Sequence, residues 1–135
     1  MIEVYIDGAS AGDPGPSGAG VFIKGNGYLI RQSFPLPEMS NHEAEFHACL
    51  KALTICKDHG FKIISIRSDS QTVVEAVEKE YVKNMSFRPL LDSILHEMAH
   101  SFDYAFIKWI PGKLNKEADL LAKKGVQKAM ENNNS

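Results

Sequence analysis

Hydrophobic and polar positions follow two different periods along this chain of 135 residues. Alternation, as at Ile2, Val4 and Ile6, is typical of a strand, whereas apolar residues spaced by three and four positions are typical of a helix. The pattern predicts five strands and four helices in the order βββαβααβα. The predicted strands cover residues 2–7, 20–24, 28–34, 62–68 and 103–109, and the predicted helices cover residues 40–60, 70–80, 87–101 and 115–130.

Glycine and proline mark the predicted boundaries. Residues 8–20 contain five glycines and two prolines, which favours a loop whose backbone can approach a ligand closely. Asn26-Gly27 favours a tight hairpin turn between the second and third strands. Pro35 and Pro37 are predicted to end the third strand.

The element order predicts an α/β fold built on one mixed sheet. A meander of three antiparallel strands, followed by β–α crossovers to two parallel strands, gives a sheet flanked by helices. The spacing of Ser40 and Glu43 fits a capping box at the start of the first helix. We expect a single domain over residues 1–130 and a polar, disordered tail over residues 131–135.

Composition excludes several classes of protein. The chain is 44% apolar and 24% charged, as in an ordinary globular domain. Its apolar runs are shorter than the roughly 18 residues of a membrane span, and the N-terminus begins directly with a strand rather than a signal peptide. We therefore expect a cytoplasmic protein that does not associate with membranes.

Cys49 and Cys56 lie two helical turns apart, about 10 Å, which is too far for a disulfide.

The charge distribution is uneven. The net charge of −2 is unusual for a protein that binds nucleic acid. However, residues 108–128 contain six lysines and only two acidic residues. This segment predicts a local basic edge, although each lysine alone is equally compatible with a solvated helix face.

Four acidic residues stand in matching settings at the ends of predicted elements. Asp7 and Asp69 each follow a strand, while Glu45 and Asp119 each lie near the start of a helix. Taken singly, they could form a turn, cap a helix or offset a helix dipole. Taken together, they would repel one another unless a cation neutralised them. Carboxylate oxygens are the ligands that Mg²⁺ and Mn²⁺ prefer, so the pattern predicts a metal site.

The motifs around these acids resemble ribonuclease H type 1, in the compact form found in bacteria, archaea and reverse-transcriptase-like ribonuclease H domains. The resemblance covers residues 2–126. Its motifs are Tyr5-Ile6-Asp7-Gly8, Asp13-Pro14-Gly15-Pro16, Gly18-Ala19-Gly20, Ser40-Asn41-His42-Glu43-Ala44-Glu45, Ser68-Asp69-Ser70-Gln71 and Asn115-Lys116-Glu117-Ala118-Asp119-Leu120-Leu121-Ala122.

The resemblance implies a fold, a reaction and a set of site residues. The fold would be ribonuclease H-like, and the reaction would be endonucleolytic hydrolysis of the RNA strand of an RNA/DNA hybrid by a monomer. Two Mg²⁺ ions, or Mn²⁺ in their place, would bind with the substrate, and no small-molecule cofactor would be needed. The metal-binding and catalytic residues would be Asp7, Glu45, Asp69 and Asp119, and the substrate-binding residues would be Gly8, Ser10, Ser40, Asn41, Gln71 and Lys113.

Two departures from the family pattern leave alternatives open. Lys113 stands in the loop where many members carry a histidine, and residues 80–87 are too few for the basic protrusion of longer members. The chain could therefore be a hybrid-binding paralogue with slow or no turnover. It could also be a nuclease of the same fold that cuts structured DNA or double-stranded RNA.

Overall fold

A mixed five-stranded sheet lies at the centre of the computed structural model, which describes residues 1–133. The strands are β1 (Ile2–Ser10), β2 (Gly15–Gly25), β3 (Tyr28–Met39), β4 (Ile63–Ser68) and β5 (Tyr104–Trp109). The helices are α1 (Asn41–Asp58), α2 (Gln71–Lys79), α3 (Arg88–His100) and α4 (Lys116–Asn133), with single 3₁₀ turns at Met85–Phe87 and Gly112–Leu114. The predicted element order and the α/β class are confirmed.

The strand order places β1 and β4 at the centre of the sheet. The order is β3-β2-β1-β4-β5. β1, β2 and β3 form an antiparallel meander, and β4 runs parallel to both β1 and β5. The two central strands are therefore neighbours that end at the same edge of the sheet.

The glycine-rich stretch is mostly strand, so the predicted loop over residues 8–20 is wrong. β1 continues to Ser10 and β2 begins at Gly15, which leaves a short turn between them. Helix packing explains the glycines. A Cβ on Gly20 would lie 2.2 Å from the backbone oxygen of Ala118 in α4, so only a glycine allows the helix to lie this close to the strand.

The prediction that Pro35 and Pro37 end the third strand is wrong. β3 continues through both residues to Met39. It pairs with β2 on one side only, because it is an edge strand. A proline lacks the backbone N–H that a central strand requires, but an edge strand tolerates its loss.

Helices cover the two faces of the sheet unequally. α1, α2 and α3 enclose the main core on one face, where Val4, Phe46, Ile66 and Leu91 are fully buried. α4 packs on the other face, against β1, β2 and β3. The part of that face formed by β4 and β5 has no helix of residues 1–133 packed on it.

The helix ends agree with the sequence except at the C-terminus. Ser40 caps α1: its hydroxyl accepts from the Glu43 N–H at 3.2 Å, and its own N–H donates to the Glu43 carboxylate at 3.4 Å. α4 continues through Asn133, so residues 131–133 are helical rather than a disordered tail, and the rest of that predicted tail lies outside the described residues. Within residues 1–133, every helix is too short or too polar to cross a membrane.

Candidate active site

The register of the two central strands brings Asp7 and Asp69 together. Ile6 pairs with Ser68 in the parallel β1–β4 ladder, so the next residues, Asp7 and Asp69, stand side by side. Asp7 lies within β1, which continues to Ser10, and not at the strand end that the sequence predicted. Asp69 directly follows β4, as predicted.

Close packing of α1 on β1 brings Glu45 to the same place. A Cβ on Gly8 would lie 2.4 Å from the Glu45 backbone nitrogen, so the glycine beside Asp7 allows α1 to approach at this residue. Glu45 lies in the second turn of α1 and not in the first, because the helix begins at Asn41. α1 and α4 lie on opposite faces of the sheet, so Glu45 and Asp119 approach Asp7 from different sides.

Asp119 enters the site from the first turn of α4. The start of this helix is fixed by Asn115, which is fully buried and donates from Nδ2 to the Ile6 carbonyl at 2.9 Å. Gly20, the partner of Asp7 in the β1–β2 ladder, allows α4 to lie against the sheet. The hydrogen bond and the close packing together hold Asp119 beside Asp7.

Asp7 is the electrostatic centre of this cluster. Burial, the charges of Asp69, Asp119 and Glu45, and a hydrogen bond with Asp119 together raise the pKa of Asp7 to about 8. The charged form of Asp7 is therefore disfavoured both by loss of water and by neighbouring negative charge. All four predicted acids therefore interact in one cleft.

Glu45 is held by groups on its own helix and at the start of α2. Burial raises the pKa of the Glu45 carboxyl, and the nearby charge of Asp69 acts in the same direction. A hydrogen bond with Ser70 and the charge of His42 oppose this rise. Asn41 donates from Nδ2 to Glu45 Oε1 at 2.6 Å, so its amide fixes the orientation of the carboxylate.

Lys123 belongs to the predicted basic edge and is also a neighbour of the site. Its Nζ lies 2.9 Å from Asp119 Oδ2, and a hydrogen bond with this carboxylate raises the pKa of Lys123. The i, i+4 spacing on one helix was the signal that could have predicted this pair. Lys123 therefore supplies positive charge at one side of the cluster.

Comparison with known proteins decides the family. The family described as Reverse transcriptase-like matches residues 5–125. Ribonuclease HI of Halobacterium salinarum is 31% identical over 95% of this chain and 65% of its own greater length. The chain belongs to the ribonuclease H type 1 family. The protein EbsB of Enterococcus faecalis is 37% identical over 95% of this chain and 96% of EbsB.

The fold also matches solved structures of ribonucleases H. The structure of LC11-RNase H1 in complex with RNA/DNA hybrid has a TM-score of 0.88 and 28% identity, and the match covers 96% of this chain and 99% of that one. This agreement confirms the ribonuclease H-like fold that the sequence resemblance implied.

Three of the predicted substrate-binding residues stand at helix starts beside the carboxylates. Ser40 caps α1, Asn41 is its first residue, and Gln71 is the first residue of α2. Asn41 and Gln71 are both exposed. Two amide side chains and two helix N-termini therefore lie at the edge of the sheet where the acids lie.

The other predicted substrate-binding residues differ in their freedom to contact a ligand. Gly8 is buried beneath α1, which gives it a packing role. The Ser10 hydroxyl donates to the carbonyls of Gly12, at 2.6 Å, and Met39, at 2.8 Å, so it ties the end of β1 to the end of β3. Lys113 is exposed in the 3₁₀ turn before α4.

The donor atoms of the cluster suit a hard divalent cation. Four carboxylates supply only oxygen ligands, the class that Mg²⁺ and Mn²⁺ prefer. Within residues 1–133, no three acidic, histidine or cysteine side chains yet converge as a complete ligand set. Glu45 is turned toward Asn41 and Asp119 toward Lys123.

Proposed function

We propose that this protein is a metal-dependent endonuclease that hydrolyses the RNA strand of RNA/DNA hybrids. The observation that carries the proposal is the convergence of Asp7, Glu45, Asp69 and Asp119 at one place, where Asp7 interacts with the other three acids. Membership of the ribonuclease H type 1 family supports the reaction class. LC11-RNase H1, which shares this fold, has been solved with an RNA/DNA hybrid.

Asp7, Glu45, Asp69 and Asp119 would hold two Mg²⁺ ions together with the substrate, and Mn²⁺ would serve in their place. Divalent cations bound in this way supply an activated water and offset the charge on the leaving oxygen. Asp7 interacts with the other three acids, so it would be the central ligand of the set. Asn41 would orient Glu45, and Lys123 would limit repulsion at Asp119.

The chemistry requires no nucleophilic side chain. An oxygen of water forms the new bond to the scissile phosphorus, and the bond from phosphorus to the 3′-oxygen breaks. The products are a 5′-phosphate and a 3′-hydroxyl. All four acids come from one chain, so we propose that a monomer is sufficient for activity.

Selectivity for RNA would come from the 2′-hydroxyl group. Amide side chains can donate to and accept from a 2′-hydroxyl, which distinguishes RNA from DNA at a given position. Asn41 and Gln71 are exposed amides beside the acids. Such contacts read no base edge, so we expect little sequence preference.

A cleavage assay on a labelled RNA/DNA hybrid tests this function directly. We expect metal-dependent cutting of the RNA strand and no cutting of RNA/RNA or DNA/DNA duplexes. Asp69→Asn should abolish cutting with the fold intact. Asp58→Asn, the same chemical change at an exposed residue at the far end of α1, is the matched control and should cut normally. An active Asp69→Asn protein would contradict the role proposed for this residue.

A second candidate function is hybrid binding with slow or no turnover. Two observations favour it: Lys113 stands at the family's histidine position, and the segment between α2 and α3 contains only a short 3₁₀ turn at Met85–Phe87. Retention of the hybrid in a gel shift, without cut product in Mg²⁺ or Mn²⁺, would establish this alternative. Cutting of another duplex in preference to the hybrid would establish a changed substrate.

A further inference from the structure

The sheet face that carries α4 is only partly covered. Asp7 and Gly20 lie beneath α4, and the row next to them reaches the first turn of that helix, where Arg31 pairs with Glu117. The part of this face on β4 and β5 has no helix of residues 1–133 packed on it. The row next to Asp7 and Gly20 crosses all five strands. In strand order it consists of Arg31, Phe22, Tyr5, Arg67 and Lys108. We call this row, together with the neighbouring residues Glu3, Lys24, Ile63, Tyr104 and Phe106 on the same face, the open face.

Cations and aromatic rings are interleaved on the open face. The Arg31 guanidinium lies 5.0 Å from the centre of the Phe22 ring. Arg67 and Lys24 lie 5.5 Å and 5.6 Å from the centre of the Tyr5 ring. The two rings are themselves 5.7 Å apart. These contacts hold the cationic groups in place above the sheet.

The edge of the open face presents two uncovered rings. Tyr104 and Phe106 lie two residues apart on the same face of β5, and 61% and 51% of their surfaces are exposed. Their rings are nearly parallel, with an interplanar angle of 3° and centres 6.1 Å apart. Ile63, the partner of Tyr104 on β4, is also exposed. Rings of this kind offer flat surfaces on which unpaired bases can stack.

The charge of this region opposes that of the whole protein. The open face, the adjoining 3₁₀ turn and the first two residues of α4 carry six cationic and two acidic side chains, a net charge of +4, whereas the chain carries −2. Ion pairs join Arg31 to Glu117 at 3.2 Å and Arg67 to Glu3 at 2.8 Å. The remaining cations, which form no ion pair within residues 1–133, are Lys24, Lys108, Lys113 and Lys116.

A groove of about 290 Å³ joins the open face to the turn that precedes α4. It is lined by Tyr5, Phe22, Lys24, Lys113 and Lys116, among others. Tyr5 precedes Asp7 by two residues and projects on the same side of β1, so the two side chains are about 7 Å apart along the strand. The groove therefore begins next to the acidic cluster.

We propose that the open face binds single-stranded nucleic acid. The lysines would contact phosphates, and the rings of Tyr104 and Phe106 would stack on unpaired bases. A duplex hides the faces of its bases, so the exposed rings favour a single strand. Phosphate recognition also agrees with lysines that form no close ion pair within residues 1–133. The site goes beyond hybrid cleavage, and its binding needs neither metal nor turnover.

Fluorescence anisotropy with labelled oligothymidylate tests the site on the intact chain. A DNA strand of about 12 nucleotides, in EDTA and about 50 mM salt, suits the site sizes and salt dependence of such proteins. We expect the double variant Lys24→Glu/Lys108→Glu to bind at least about tenfold more weakly, with a salt slope reduced by about 1.4. Phe106→Ala should weaken binding about fivefold or more, because a stacking surface is lost.

A matched double variant controls for net charge. Lys57→Glu/Lys79→Glu changes the charge by the same amount on helices α1 and α2, on the other side of the sheet. The proposal is overturned if this control loses as much affinity as the open-face variant, or if neither variant loses any. It is also overturned if polyglutamate displaces the oligonucleotide as well as unlabelled oligothymidylate does. Circular dichroism melts of the exposed-residue variants verify the fold. Binding of oligothymidylate without any hybrid cleavage would support the open-face site and reject the proposed enzyme. Failure of the open-face proposal can therefore be distinguished from failure of the proposed function.

Discussion

An Asp7→Asn variant removes a carboxylate whose charged form is strongly destabilised by its surroundings. Burial, aided by the charges of Asp69, Asp119 and Glu45, raises the Asp7 pKa from 3.8 to about 8. Between about pH 4 and pH 8 the folded protein therefore keeps on Asp7 a proton that the unfolded chain has already released. Wild-type stability in metal-free buffer should fall as pH rises through this window, and the loss should be complete above about pH 8.

The size of the effect follows from the same values. A rise from 3.8 to about 8 corresponds to an upper limit of about 6 kcal/mol in the free energy of unfolding. Water in the cleft and rotation of the neighbouring carboxylates lower this limit, so we expect Asp7→Asn to gain about 2–3 kcal/mol at pH 9. At pH 5 the gain should be smaller, about 1.5 kcal/mol, because pH 5 lies only about 1.2 above the unfolded-state pKa of 3.8.

Urea unfolding in EDTA, followed by circular dichroism at pH 5, 7 and 9, measures this gain. Asp13→Asn, the same change at an exposed turn residue, is the control and should show no pH-dependent gain. Mg²⁺ should stabilise the wild type more than the variant at high pH, because a ligand that binds the folded state shifts unfolding toward it. An equal gain at pH 5 and pH 9, or none at pH 9, would refute the electrostatic reasoning.

Three further predictions concern the packing that supports the site. Gly20→Ala should displace α4 and destabilise the protein by about 2 kcal/mol or more in urea unfolding, because its Cβ would clash with helix backbone; an unchanged midpoint would contradict this packing. Asn115→Ala should cost about 1–3 kcal/mol in the same assay, because the buried Ile6 carbonyl loses its donor; a neutral effect would mean that water replaces the amide. Burial raises the pKa of both Cys49 and Cys56 to about 12. A thiol reagent should therefore label neither cysteine until the chain unfolds. Rapid labelling of the native protein would show that the core opens.

The sequence alone determined the elements whose signals are local. Periodicity predicted all five strands and four helices, and the capping box at Ser40 is present with both of its hydrogen bonds. The four acids were recognisable because their predicted settings repeat: two at predicted strand ends and two near predicted helix starts, although Asp7 lies within β1. The motifs around them also carried the family. These features depend on near neighbours in the chain, which a single sequence displays directly.

Only the tertiary structure decided whether the glycines and prolines lie in loops or in strands. Gly8 and Gly20 are typical of a loop when read locally, yet they are strand residues that allow helices to approach from opposite faces. Pro35 and Pro37 are compatible with a strand only because β3 lies at an edge. A residue's neighbours across the fold, rather than along the chain, set these outcomes.

The open face and the register of the site were likewise decided by strand order. Arg31, Tyr5 and Lys108 lie far apart in the sequence, and they share a row only because β3, β1 and β5 take their particular places in the sheet. The same ladder sets Asp7 beside Asp69. The sequence could name these side chains but not their neighbours, because hydrogen bonding between distant strands fixes which residues meet.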